Sequence, residues 1–318
     1  MFNRQRVTVA ARLAATVVIA FVLARRVHLS QLLPHRDAGN TALLVGALVF
    51  TFVGIVLSAF RWQRVLATLG VPARLIRLTR HYLASLFVGN FLPSTVGGDV
   101  LRVTRLGAET GDSAAPFASV VLERLSGWIV LPALTFTGLA VNPTLRTLGR
   151  ATALASFVGA ATLVALGGVL IAAAHPKIGA RLSGADGWKR FTGAIHLGVD
   201  EFRRRPLLAV EVIAAGVVYQ LSVLISVFMA SQALGLHVGF TAILAFFPAV
   251  AIVQTLPITI GGLGVREGAL YVFLHPLGVT SDQAISLGVL VYASTLIVSL
   301  VGAPAFAAGG TRKVPAAT

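Results

Sequence analysis

Six stretches of about 20 apolar residues dominate this sequence and leave it few ways to fold. They run near 7–24, 41–60, 117–141, 151–174, 207–234 and 284–308. In lipid every backbone N–H and C=O must find its partner inside the protein, so each run is expected to be a membrane-spanning helix. Composition agrees: 56% of the 318 residues are hydrophobic, 12% are charged, and the mean hydropathy is +0.87. Too few polar residues remain to cover a soluble surface, which excludes a cytosolic enzyme, a disordered tail and a nucleic-acid-binding module. There is no cysteine, hence no disulfide framework, thiolate metal site or cysteine nucleophile. The first run has Arg4, Arg6 and Arg12 around its start, as a signal peptide would. No small-x-small cleavage site precedes Arg25, however, and five further runs follow.

The net charge of +15 has a membrane explanation, because Lys and Arg collect in cytoplasmic loops. Arg61, Arg64, Arg74, Arg77 and Arg80 follow the second run, and seven basic residues between Lys177 and Arg205 follow the fourth. Both segments are therefore expected inside, together with 102–116, the N-terminus and the C-terminal Arg312 and Lys313. This arrangement holds only if the apolar segment 81–96 enters and leaves by the same face, as a re-entrant hairpin or a pair of half-helices. The same reasoning makes 241–280 a re-entrant element from the outer face. In 188–202, Trp188, Phe191, Ile195, Val199 and Phe202 form a helical stripe with charges off it, which suits a helix lying on anionic headgroups of the inner leaflet.

The chain also repeats itself. NFLPSTVGGDVLR at 90–102 lies without a gap over QTLPITIGGLGVR at 254–266, an offset of 164 residues, with identity at six of thirteen positions. The same offset carries 41–60 onto 205–224 and 117–141 onto 281–305, so runs fall on runs. With the topology above, the first copy enters from one face and the second from the other. The expected architecture is an all-α polytopic membrane protein: one integral domain over 1–318, built from two inverted-topology repeats at about 1–145 and 146–318. Each repeat holds a broken re-entrant element. Inverted halves with discontinuous helices point to a transport site, because helix breaks expose backbone groups that bind polar ligands.

Ionisable residues among apolar ones are costly and mark candidate sites. Asp99 and Arg102 follow Gly97 and Gly98; Arg266 and Glu267 follow Gly261 and Gly262. A Gly-Gly turn opening a helix lets a headgroup approach the backbone, presents N–H groups to a phosphate, and places an arginine beside it. As structural readings, Arg102 is a cytoplasmic anchor and Arg266 pairs locally with Glu267. Glu123 and Arg124 sit inside FASVVLERLSGWIVLPALTF, where they must face a polar cavity or pair with groups such as Asp99 and Arg102. Asn90, Thr95, Gln254 and Thr259 supply neutral hydrogen bonds to a substrate or to neighbouring helices. The histidines show no metal-ligand spacing, GGLGVREG lacks the context of a dinucleotide site, and no Walker A, HExxH, nucleophile-elbow or paired-carboxylate motif is present. Neither catalysis nor a cofactor is expected.

FLPSTVGGDVLRVTRL, VVLERLSGW and LPITIGGLGVREGALY together resemble the multi-span membrane domain of bacterial lysylphosphatidylglycerol synthases, over nearly the whole chain. The resemblance implies a lipid flippase-type domain of the cytoplasmic (inner) membrane, carrying a phospholipid or lipid-linked substrate between leaflets. It transfers a role to Gly97, Gly98, Arg102, Glu123, Arg124, Gly261, Gly262, Arg266 and Glu267. Those synthases add a soluble domain that transfers an amino acid from tRNA; this sequence ends at Thr318, so aminoacyl transfer is not expected. Two other classes fit the same features: a small-solute or ion transporter, and a non-transporting membrane partner of a lipid-modifying transferase.

Overall fold

A computed structural model describes residues 38–91, 97–174, 204–256 and 262–307, together with 193, 196, 198 and 200–202. Every regular element among them is helical. Five helices are long and apolar enough to cross a membrane: α1 (Ala38–Thr68), α4 (Ala114–Val141), α5 (Arg150–Ala174), α6 (Pro206–Ala233) and α9 (Ser281–Leu300). The remainder are shorter: α2 (Leu75–Phe91), α3 (Gly97–Thr110), α7 (Phe240–Val253), α8 (Val265–Leu274) and α10 (Gly302–Ala307). The run at 7–24, most of 188–202, and the C-terminal basic pair lie outside the described residues.

The two re-entrant elements are helical hairpins. At 17 and 14 residues, α2 and α3 are each too short for a bilayer core that takes about 20 residues to cross. Their contacts fix the direction of each arm. His81 Nε2 lies 3.0 Å from Glu109 Oε1, and Arg77 Nη1 lies 3.5 Å from Glu109 Oε2. Further along α2, Ser85 and Gly89 lie against Gly98. As the index rises on α2 it falls on α3, so the arms are antiparallel and the chain returns to the face it entered by. The second hairpin repeats this arrangement: Phe246 stacks on Phe273 with ring centroids 5.9 Å apart, and Gln254 meets Gly262.

Sequence hydropathy places the first re-entrant element at 81–96 and leaves Arg102 in a loop; the structure corrects both. The element runs from Leu75 to Thr110, and Arg102 is buried within its second arm. An apolarity window detects the first arm and passes over the second, which carries Asp99, Arg102, Arg105 and Glu109. Arg61 needs the same correction. Expected in the cytoplasmic loop, it lies inside α1, which continues to Thr68 with Ser58, Arg61, Trp62, Val65 and Leu66 all buried at helical spacing. The last run also differs from 284–308: α9 ends at Leu300 and α10 begins at Gly302. Pro304 has no N–H to continue the ladder of α9 and is tolerated in the first turn of a new helix.

The offset of 164 residues maps α1 onto α6, α2 onto α7, α3 onto α8, and α4 onto α9 with α10. Packing follows the same exchange. α4 packs on α7 as α10 packs on α2, α6 touches α4 as α1 touches α9, and α1 touches α4 as α6 touches α9. The repeat-equivalent pair α1 and α6 forms the largest contact between the halves and runs antiparallel. Ser226 Oγ donates to the Ala47 carbonyl and lies 2.8 Å from Thr51 Oγ1, Ser222 meets Gly54, and Gly216 meets Arg61. Equivalent helices pointing in opposite directions are the signature of inverted repeats. α5 packs mainly on α4 and joins the halves.

The absence of cysteine makes this topology directly testable. Pro72→Cys and Ser113→Cys, at the two ends of the first hairpin, are expected to react with a membrane-impermeant thiol reagent from one face. His237→Cys and Asp282→Cys, at the ends of the second, are expected to react from the opposite face. Labelling of Pro72→Cys and Ser113→Cys from different faces would remove the hairpin.

Candidate functional site

Between the two hairpins lies a cavity of about 490 Å³, walled by α1, α4, α6 and α9 as well as by the hairpins themselves. Asn90, Gly98, Asp99, Arg102, Glu123, Arg124, Gln254 and Arg266, all singled out from sequence, line it. Gly97 opens α3 beside it, and Gly262 is buried with φ +72 at the turn into α8. Glu267 stands behind Arg266. Thr95, Thr259 and Gly261 lie outside the described residues.

One ion-pair network organises the first half of the cavity. Glu123, 1% exposed on α4, accepts through Oε1 from Arg61 Nη2 (2.9 Å) and through Oε2 from Arg102 Nη1 (2.7 Å). Ser58 Oγ stands 3.1 Å from the same Oε1 and 2.7 Å from the Tyr82 hydroxyl. Arg102 also donates from Nη2 to Asp99 Oδ1 (2.5 Å), and Arg124 donates from Nε to Asp99 Oδ2 (2.6 Å). Asp99 and Arg102 are three residues apart on α3 and therefore share a face. Gly98 allows that face to approach α2: a Cβ there would sit 2.6 Å from the Ser85 carbonyl oxygen.

The network solves an electrostatic problem. Removing several charges from water is costly unless each is paired and its remaining hydrogen bonds are met. The Nε atoms of Arg61 and Arg102 are buried without an acceptor among the described residues. Both guanidiniums instead lie over aromatic faces: Arg61 is 4.9 Å from the Tyr219 ring centroid, and Arg102 is 4.9 Å from Trp62 and 4.5 Å from Tyr82. Trp62 is held by its own N–H to Ser119 Oγ at 2.8 Å. Arg124 is the member that reaches out, its side chain 46% exposed.

The second half is simpler. Arg266 donates from Nη2 to Glu267 Oε1 (2.7 Å) and lies 5.2 Å from the Tyr292 ring centroid. Glu267 Oε2 accepts the Gly264 N–H at 2.5 Å, holding the first turn of α8 where Gly264 has φ +80. The local pairing of Arg266 with Glu267 is thus present, while Arg266 still lines the cavity. At the repeat positions of Arg61, Tyr82, Asp99 and Glu123 stand Ile225, Phe246, Leu263 and Leu287. Of the charged residues in the network, only the arginine of the Gly-Gly motif, Arg102, has a charged counterpart in the second copy, Arg266.

Ser58, Arg61, Tyr82 and Tyr219 are not among the residues to which the sequence points. Hydropathy ends the second run just before Arg61, and the repeat offers no counterpart for it. The signal that identifies it is the stripe Ser58, Arg61/Trp62, Val65/Leu66, which continues the buried face of α1 past the apolar window. Among the described residues no group of His, Asp and Glu is arranged to hold a metal.

No curated protein matches this chain. The sequence model of one family, described as the lysylphosphatidylglycerol synthase TM region, matches residues 9–302. That span takes in both hairpins and the whole of the cavity wall, so the chain belongs to the lysylphosphatidylglycerol synthase transmembrane-region family.

Proposed function

We propose that this protein moves a phosphate-bearing amphipathic lipid between the leaflets of the cytoplasmic membrane, as a transporter and not as an enzyme. The observation that carries the reading is the cavity's double character. Its guanidiniums, Arg61, Arg102, Arg124 and Arg266, outnumber Asp99, Glu123 and Glu267 by one, which leaves room for one monoanion. Ile55, Leu86, Val223, Val227 and Phe247 give the same cavity an apolar wall, which an inorganic ion does not need and an acyl chain does. Only the headgroup requires a path, because its passage through hydrocarbon is costly whereas the tails are at home there.

The residues suggest a sequence of contacts. Arg124, exposed and paired to Asp99, meets the phosphate first; the phosphate replaces the carboxylate as its partner, since both present a planar guanidinium with two oxygens. Arg102 and Arg266, at equivalent places in the two hairpins, then hold the anion from opposite membrane faces as the hairpins alternate in opening. With the first hairpin opening to the cytoplasm, the basic loops of the sequence lie inside and face anionic headgroups.

The test is leaflet accessibility of a phosphatidylglycerol with a fluorescent acyl chain, measured with an external quencher in vesicles holding the purified protein. Arg124→Gln and Arg266→Gln are each expected to slow translocation about tenfold or more, the worth of one charge-assisted hydrogen bond. Wild-type rates in both folded variants, or no translocation by the native protein, would overturn the reading.

A further inference from the structure

We infer that two side-chain bonds at the hairpin tips form in turn, Asn90 to Ser299 in the state seen here and Gln254 to Thr135 in its opposite, and that their exchange is how the hairpins alternate. The inference rests on the translocation reading for its role in transport and specifies how the two states are fastened. It comes from the repeat. Asn90 and Gln254 are 164 residues apart, as are Thr135 and Ser299, so exchanging the halves turns one pair into the other. The first pair is bonded: Asn90, in the last turn of α2, donates from Nδ2 to Ser299 Oγ on α9 at 2.8 Å. This bond ties the tip of the first hairpin to the fourth helix of the second repeat.

The second pair is apart. Thr135 is fully buried in α4 and its Oγ1 has no hydrogen-bond partner among the described residues, so Gln254, which lines the cavity at the end of α7, does not reach it. Other helical threonines of this chain behave differently: Thr51, Thr79, Thr137 and Thr295 each donate to the carbonyl four residues before. An unpaired buried hydroxyl costs stability, and a second state that pairs it relieves that cost. Thr135 lies three residues before Gly138 and shares its face, on which α7 packs. The helix facing Thr135 is therefore the one that carries Gln254.

The glycine crossings show the same difference between the halves. Gly302 meets α2 at Leu83 and Ala84, whereas Gly138 meets α7 at Ala245, the repeat counterpart of His81. The same helices cross, but two to three residues out of register, which is about 3–5 Å along a helix. If α7 took on α4 the register that α2 has on α10, Phe247 would face Gly138. Gln254 would then stand to Thr135 as Asn90 stands to Ser299. The structure is thus one member of a pair of states, with the first hairpin fastened and the second unfastened. One neutral interhelical hydrogen bond on each side suits such an exchange, because it is too weak to hold either state permanently.

The chain has no cysteine, so cross-linking pairs can be placed in it freely. In vesicles, the shortest bis-methanethiosulfonate is expected to bridge Asn90→Cys with Ser299→Cys and, in a separate variant, Thr135→Cys with Gln254→Cys. In a variant carrying all four substitutions, peptide mapping and intact mass are expected to find either bridge but never both in one molecule. Failure of the Thr135 and Gln254 pair to bridge, or both bridges in one molecule, would overturn the inference. Ser299→Ala is expected to speed the bridging of that second pair about threefold to tenfold, the worth of the competing hydrogen bond. Ser299→Thr, which copies the other half, should leave the rate unchanged; equal rates with Ser299→Ala would assign the bond to packing alone and also overturn the inference. None of these measurements needs lipid to move. In the same vesicles each bridge is expected to stop acyl-labelled phosphatidylglycerol, and reduction of the bridge to restore it. Native-rate translocation by a bridged protein overturns the exchange as the alternating step and leaves the translocation reading standing. Bridges that exchange in a protein that moves no lipid overturn the translocation reading alone.

Discussion

Replacing Glu123 by alanine is expected to cost about 3–5 kcal/mol of stability, the range for removing one partner of a buried ion pair. The penalty does not come from lost packing, since the methylenes removed are few. It comes from Arg61 and Arg102, which keep their burial and lose the carboxylate between them. Glu123→Gln should fall between, retaining one acceptor oxygen and losing the charge. The repeat supplies a sharper version of the experiment. In the second half, Ile225 and Leu287 occupy the places of Arg61 and Glu123, and Leu287 is fully buried there. Arg61→Ile combined with Glu123→Leu copies that solution, so the double variant is expected to be more stable than Glu123→Leu alone. Thermal unfolding in detergent decides: penalties that simply add would show that the pair is not a coupled unit.

How far the sequence alone reveals this protein follows from the physics of each element. The spanning helices are legible because length and apolarity are the bilayer's own requirements, and α4, α5 and α6 fall where hydropathy places them. The hairpins are legible because two Leu-Pro-x-Thr-x-Gly-Gly copies sit at one offset in segments that topology forbids from crossing. Asp99, Arg102, Glu123 and Arg124 are legible because charge at membrane depth is rare. What hydropathy hides is polar residues that finish an apolar helix. Arg61 reads as an anchor because it follows an apolar run, and only its place in the stripe with Ser58 and Val65 assigns it to the interior. Tyr82 and Tyr219 are invisible for another reason: their rings satisfy hydropathy, and only their positions over guanidiniums give them a role. That asymmetry between the halves is also beyond a pattern search, because what matters is which positions of one copy became apolar in the other.

The two halves diverge in charge, but their packing remains equivalent, and the largest expected packing effects lie at Gly138 and Gly302, which are 164 residues apart. A Cβ on Gly138 would sit 2.5 Å from the Ala245 backbone nitrogen, and one on Gly302 would collide with the Leu83 carbonyl oxygen. Each glycine thus presses the fourth helix of its own half against the first hairpin arm of the other, α4 on α7 and α10 on α2. The obstructing atoms are backbone, so no rotamer change relieves the contact and the helices must separate. Gly138→Val and Gly302→Val are each expected to cost about 3 kcal/mol or more, the upper end of overpacking, and to reduce the yield of folded protein. Gly168→Val, on an exposed face of α5 with nothing near its Cβ, controls for the loss of a glycine and should leave the melting temperature close to that of the native protein. Arg102→Ala and Arg266→Ala, also repeat-equivalent, should differ in stability cost, because Arg102 serves two carboxylates and Arg266 one. Equal penalties at the glycines with unequal penalties at the arginines would separate the inherited symmetry of the scaffold from the acquired asymmetry of its site. Native-like melting of both glycine variants would remove the close crossings on which that distinction rests.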